Sequence, residues 1–177
     1  MSDSYVAPKP YCAEYFLSTE NLDHLDATVA EVFKMMFGLE IQAVGVANSA
    51  VHLPELDVRT AIVGFSGAMR GSCQVRVSVQ AAISIASAML GGVPIDEGDD
   101  SVNDALGELC NMLAGGWKNG MPSLSSECAL SPPTVISGHD YKVHMSKPST
   151  KLSRTYQFEG HAMYLTLYRE DMESFGE

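Results

Sequence analysis

Val102, Leu106, Leu109, Leu113 and Trp117 recur at three- and four-residue steps, with Cys110 beside Leu109. At about 100° per residue they fall within roughly 50° of one line, so the segment reads as an amphipathic helix with that line against a core. The polar stretch PIDEGDDS precedes it, and Ser101 or a neighbour supplies the cap. Acidic residues there favour the helix by opposing its macrodipole. Glycines at Gly115-Gly116 or Gly120 mark its end.

Two further stripes have the same period. Leu22, Leu25, Val29, Val32 and Met36 predict a buried face for a helix over 21–37, capped by Asn21 and stopped by Gly38. Val79, Ala82, Ile83, Ala86 and Leu90 predict another, which stops at Gly91-Gly92. Between and after them lie β-rich segments at Ile41–Ala47, Val58–Phe65, Met69–Val77, Thr134–Ser137, Tyr141–Met145, Thr155–Glu159 and His161–Tyr168. Ser66-Gly67 and Gly160 are the expected hairpin turns. These elements predict one α/β (α+β) domain over 1–177, a largely antiparallel sheet packed by helices, with 1–12 as a loosely ordered leader.

Sliding the first helix onto the third reveals a diverged internal repeat. DATVAEVFKMMFG from Asp26 lies against NDALGELCNMLAG from Asn103, which matches Glu31 to Glu108, Lys34 to Asn111 and Gly38 to Gly115. Each helix is followed by an Arg-Thr strand and hairpin, from Arg59 and from Arg154. The helix phases agree as well as the letters, which is the mark of a duplicated unit.

Charge and composition exclude several function classes. With 22 Asp and Glu against 11 Lys and Arg, the formal net charge of −11 repels phosphate backbones, so nucleic acid is not an expected partner. No apolar run approaches the ~20 residues of a membrane span, and MSDSYVAPKPYCAEYF has no signal-peptide pattern, so a cytoplasmic protein is expected. Cys12, Cys73, Cys110 and Cys128 are scattered without a C-x-x-C pair and read as reduced thiols. The acidic loop fails as a calcium loop because Val102 stands where the sharp turn needs glycine. His139 and His144 lack a third ligand at suitable spacing, so no metal site is expected. The ten methionines, Met35, Met36, Met112 and Met121 among them, read as core filling.

Opposite the apolar line of the 102–117 helix, Asp104, Glu108, Asn111 and Gly115 form a ridge of two acids, a carboxamide and a residue without a side chain. Taken alone, such a ridge is a solvated face, over whose glycine a partner can approach closely. DALGELCNMLAGGWK followed by SPPTVISG resembles the CheC/CheX/FliY family of chemotaxis phosphatases. Its signature is Asp or Ser, three residues, Glu, two residues, Asn, and a proline some twenty residues on. Here these are Asp104, Glu108, Asn111, and Pro132 or Pro133, one or two positions early, which implies a slightly shorter loop.

The resemblance implies an active helix in mid-chain, the CheX-like pattern, since the first helix has Lys34 where the second has Asn111. It implies a substrate, the phosphorylated aspartate of a CheY-like response-regulator receiver domain, which brings its own Mg2+, and it implies a homodimer. Glu108 and Asn111 are then the catalytic pair, and Asp104 and Gly115 belong to the surface that binds the receiver. A carboxamide is not basic at neutral pH, so Asn111 acts by positioning water. Glu108, acceptor-only when ionised, suits the receiver's active-site lysine. Trp117, on the core face, and Lys118, beside the ridge, carry no expected role. The competing class is a non-catalytic module that docks a receiver or flagellar-switch component on the same ridge without turnover.

Overall fold

A computed structural model describes residues 12–46, 57–139, 141–144 and 149–170. The elements, in chain order, are α1 (Ala13–Phe16), α2 (Thr19–Phe37), β1 (Gln42–Val46), β2 (Asp57–Gly67), β3 (Gly71–Ser78), α3 (Val79–Met89), α4 (Asp100–Asn119), α5 (Pro122–Ser125), β4 (Cys128–Leu130), β5 (Thr134–His139), β6 (Ser149–Phe158) and β7 (His161–Glu170). The described pairings make one antiparallel sheet in the order β1-β6-β7-β3-β2, with β4 and β5 both lying against the far side of β2. This is the expected α/β (α+β) architecture. The sheet order reads alike from its two edges, for each edge lies against a hairpin, β6-β7 or β2-β3, and β3 pairs with β7 at the centre. The expected leader 1–12 lies outside the described residues except for Cys12, which caps α1.

The helices cover one face of this sheet, and α4 is the central one. It packs on β2, β3, β4 and β5 as well as on α2, α3 and α5. Its apolar line is buried as the spacing predicts, with Leu106, Leu109 and Cys110 at 0% exposure and Leu113 at 1%. The helix extends beyond Gly115-Gly116 to Asn119, because neither glycine leaves the helical region and the close packing there favours continuation. Asp99 is its N-cap, accepting from the Ser101 amide at 2.8 Å, and Ser101, through its side chain first and that amide second, lowers the Asp99 carboxyl from its ordinary value.

Trp117 anchors the core. Its ring packs against Phe16 and Phe65, at 6.1 and 5.5 Å between centroids. Its indole N–H donates to Asn21 Oδ1 at 2.9 Å, and the Asn21 amide donates in turn to the Phe16 carbonyl at 2.8 Å. Asn21 is therefore not the cap of α2 but a buried link between α1, α2 and α4; Ser18, three residues earlier, accepts from the Asn21 amide as the cap. Gly38 ends α2 in the left-handed region at φ 65°, as expected.

Three other expectations are corrected. Met36 is 47% exposed, and Phe33, whose ring meets Phe37 edge-on and Phe158 of β6 at a tilt, takes the buried position. The β2-β3 turn spans Ser66–Arg70 rather than two residues, since Phe65 pairs with Gly71 while Ser66 and Gly67 pair with β4. Residues 141–144 form no strand; Tyr141 instead donates its hydroxyl across to Thr60, at 2.7 Å, and Met145 lies outside the described residues. The turn at Gly160 is as expected, with Glu159 and Gly160 both at positive φ.

Candidate active site

The outward side of α4 carries the ridge. Asp104 and Glu108 are exposed, and Asn111 and Gly115 are half-buried. Glu108 and Asn111 stand one helical turn apart, so their side chains emerge side by side. Neither forms a hydrogen bond or ion pair with any described residue. Both are therefore free to engage a partner without first breaking an internal contact.

Asn111 is less exposed than Glu108 because it also belongs to a second row. Along positions 103, 107, 111 and 115 the sheet edge runs antiparallel to the helix. Ser137 of β5 donates to Asn103 Oδ1 at 3.1 Å. A Cβ placed on Gly107 would lie 3.4 Å from Pro133 Cβ and Cγ, and one on Gly115 would lie 3.7 Å from Leu130 Cδ1. Asn111 thus sits between two glycines whose missing side chains let the edge segment 130–137 lie close to the helix.

Gly115 faces Leu130, whereas the closest approaches on α4 fall at Gly116 and Gly120: a Cβ on Gly116 would meet Thr28 at 2.8 Å and one on Gly120 would overlap the His24 ring. There α2 crosses α4, and the His24 ring bonds the Trp117 carbonyl at 2.9 Å. Lys118 is corrected as well. It is not beside the ridge but buried, its Nζ donating to the Ser125 carbonyl at 2.7 Å, which ties α5 to α4.

The other chemistry-bearing groups do not converge on this ridge. Asp26 accepts from the Arg154 guanidinium and, at 2.7 Å, from the Tyr156 hydroxyl, a link from α2 to β6. Burial first, and the bond to Asp26 second, push the Tyr156 phenol well above its ordinary range. Cys73 and Cys110 are buried free thiols, and their mutual contact, then burial, raises the Cys73 thiol. His139 pairs with Asp57 at 3.1 Å on exposed strand ends. Among the described residues, no group of three or more His, Cys, Asp and Glu side chains could hold a metal ion.

One part of the site escaped the sequence reading. Pro132 and Pro133, letters of the signature in the sequence, lie in a distortion of the sheet edge in the structure. Ile62 pairs with Thr134 and Phe65 with Leu130, so Val63 and Gly64 on β2 face Ser131, Pro132 and Pro133. One extra residue on the edge is a β-bulge, and a proline pair outside a loop-length run was the available signal for it.

Comparison with known proteins gives a consistent result. The family model described as chemotaxis phosphatase CheX matches residues 59–157. The CheY-P phosphatase CheX of Thermotoga maritima is 30% identical over 119 residues, which cover 67% of this chain and 76% of that protein. Among solved structures, a CheC-like superfamily protein from Shewanella sp. PV-4 superposes with a TM-score of 0.74 at 22% identity, over 88% of this chain and all (100%) of that one. A CheX–CheY–BeF3–Mg2+ complex from Borrelia burgdorferi gives 0.71 at 18% identity, over 85% of this chain and 98% of its counterpart. At these identities the structural matches establish the fold.

Proposed function

The chain belongs to the chemotaxis phosphatase CheX family, and from that premise we propose that its α4 ridge is the catalytic face of a phosphatase acting on the aspartyl phosphate of a CheY-like receiver domain. The observation that carries this reading is the pairing of Glu108 and Asn111, one turn apart, outward-facing and unengaged, beside a rigid sheet edge.

An aspartyl phosphate is an activated mixed anhydride. Its hydrolysis needs a water held in line with the P–O bond to the receiver carboxylate and little basic assistance. Asn111 offers one carbonyl acceptor and two N–H donors at a fixed place, which suits it to orient that water and not to take its proton. The water oxygen bonds to phosphorus as the acyl P–O bond breaks, and the products are inorganic phosphate and the free carboxylate. Glu108 accepts from the receiver's lysine and so sets the docking register. Asp104 extends the acidic rim, and Gly115 keeps the far end of the ridge low. The magnesium ion belongs to the receiver, where it neutralises charge on the phosphoryl oxygens.

We read the diverged repeat of the sequence into the same picture. In each half a helix is followed by an edge strand and a hairpin, and only the second helix has a carboxamide at the Asn111 position, since the first has Lys34. We place the protein in the cytoplasm with its receiver, as a homodimer; no helix among the described residues is long and apolar enough to cross a membrane. The test is loss of acid-labile phosphate from a radiolabelled CheY receiver, with and without the chain. Faster loss with wild type, slowed about a hundredfold in Asn111→Ala, supports the enzyme; binding without faster loss shows a docking module instead.

A further inference from the structure

The bulge at Ser131–Pro133 is held by a closed set of bonds. The Ser131 N–H donates to the Gly64 carbonyl at 2.9 Å, and the Gly64 N–H donates back to Ser131 Oγ at 2.8 Å. The serine hydroxyl thus stands where a strand carbonyl would be. Its own proton goes to the Pro132 carbonyl, at 2.9 Å, and so fixes the turn that follows. Neither proline has an N–H, so no other group can continue the ladder across this gap. Gly64 is suited to the arrangement, since a Cβ there would stand 3.3 Å from Ser131 Oγ.

The bulge is placed where the chemistry is. Pro133 rests on Gly107 and Leu130 on Gly115, so the bulge flanks the helix at the level of Asn111. Ser131, Pro132, Pro133 and Thr134 are all exposed, although the neighbouring strands are paired. Bulges at sheet edges re-aim the chain, and this one turns an uncharged surface, with no backbone donor at either proline, outward beside an acidic ridge. A wall already rigid before association costs little ordering entropy on docking.

We propose that the Ser131–Pro133 bulge is the second wall of the receiver-docking face, with Pro132 in contact with the receiver surface beside its phosphoaspartate and Ser131 as the positioning residue that holds the wall in place. The proposal rests on the reading of α4 as the active helix. It assigns affinity to the bulge and turnover to Asn111, so the two are separable.

The experiment measures binding of a CheY receiver loaded with beryllofluoride and Mg2+, together with kcat and KM on the phosphorylated receiver, for the full chain and four variants. Ser131→Ala should weaken binding about fivefold and raise KM to match, the scale of one lost hydrogen bond, with kcat unchanged. Ser131→Thr keeps the hydroxyl and should restore wild-type affinity. Pro132→Ala leaves Ser131 and its bonds in place and should weaken binding by itself. Asn111→Ala should lower kcat and leave beryllofluoride-receiver affinity near wild type. If Ser131→Ala loses its fold by circular dichroism, Pro132→Ala decides the matter. Wild-type affinity in Pro132→Ala, or in a folded Ser131→Ala, overturns the docking wall. A wild-type chain that does not bind the loaded receiver overturns the reading of the ridge itself.

Discussion

Replacement of Asn111 by alanine tests the central chemistry. The carboxamide makes no hydrogen bond to any described residue, so its removal leaves no internal donor or acceptor unpaired. Alanine is the better helix former in mid-helix, and about 0.6 kcal/mol of propensity is gained there. For a domain of this size that raises Tm by about 1–2 °C. Activity should move the other way. Loss of one group that orients the reacting water costs about a hundredfold in rate, or about 2.7 kcal/mol of transition-state stabilisation. The assay is single-turnover loss of phosphate from the labelled receiver at saturating phosphatase, alongside a thermal melt of each protein. A variant that is at least as stable as wild type and two orders of magnitude slower meets the expectation. A fall in rate matched by a fall in Tm would mean that Asn111 acts through the fold, and an unchanged rate would remove it from the mechanism.

Glu108→Ala should raise KM with a smaller effect on kcat, and its defect should shrink at high receiver concentration and with added salt, as measured by initial rates across ionic strength. Glu31→Ala and Lys34→Ala, in the matching phase of α2, should both dephosphorylate the receiver at near wild-type rates. Gly120→Ala must displace the His24 ring and break its bond to the Trp117 carbonyl, so it should lose about 2 kcal/mol in urea unfolding while the folded fraction keeps its activity. Tyr156 has its phenol raised by burial and by Asp26, so the native state favours the protonated form. That contribution is intact below the unfolded phenol pKa of about 10 and drains away as pH rises beyond it, so urea midpoints should fall above about pH 10, and less steeply in Tyr156→Phe.

The main helices and the outward ridge of α4 were legible because they depend on local periodicity. A 3.6-residue repeat fixes which side of α4 is buried without reference to anything else, so Leu106, Leu109 and Leu113 fell inward and Glu108 outward as read from the letters. The glycine stop at Gly38 and the turn at Gly160 were legible for a similar reason, since a positive φ is a property of the residue itself.

Tertiary contacts decided the rest. Asn21 looks like a cap from its neighbours in sequence, but Trp117, 96 positions away, claims its side chain for the core. Phe33 and not Met36 is buried because its ring meets Phe158 of β6, a contact between segments far apart in the chain. Lys118 is polar and next to the ridge in sequence, yet α5 folds over it and supplies a carbonyl to its ammonium. The bulge beside Asn111 exists only as a one-residue mismatch between two strands, and register is a relation between segments about 70 residues apart that no local pattern encodes.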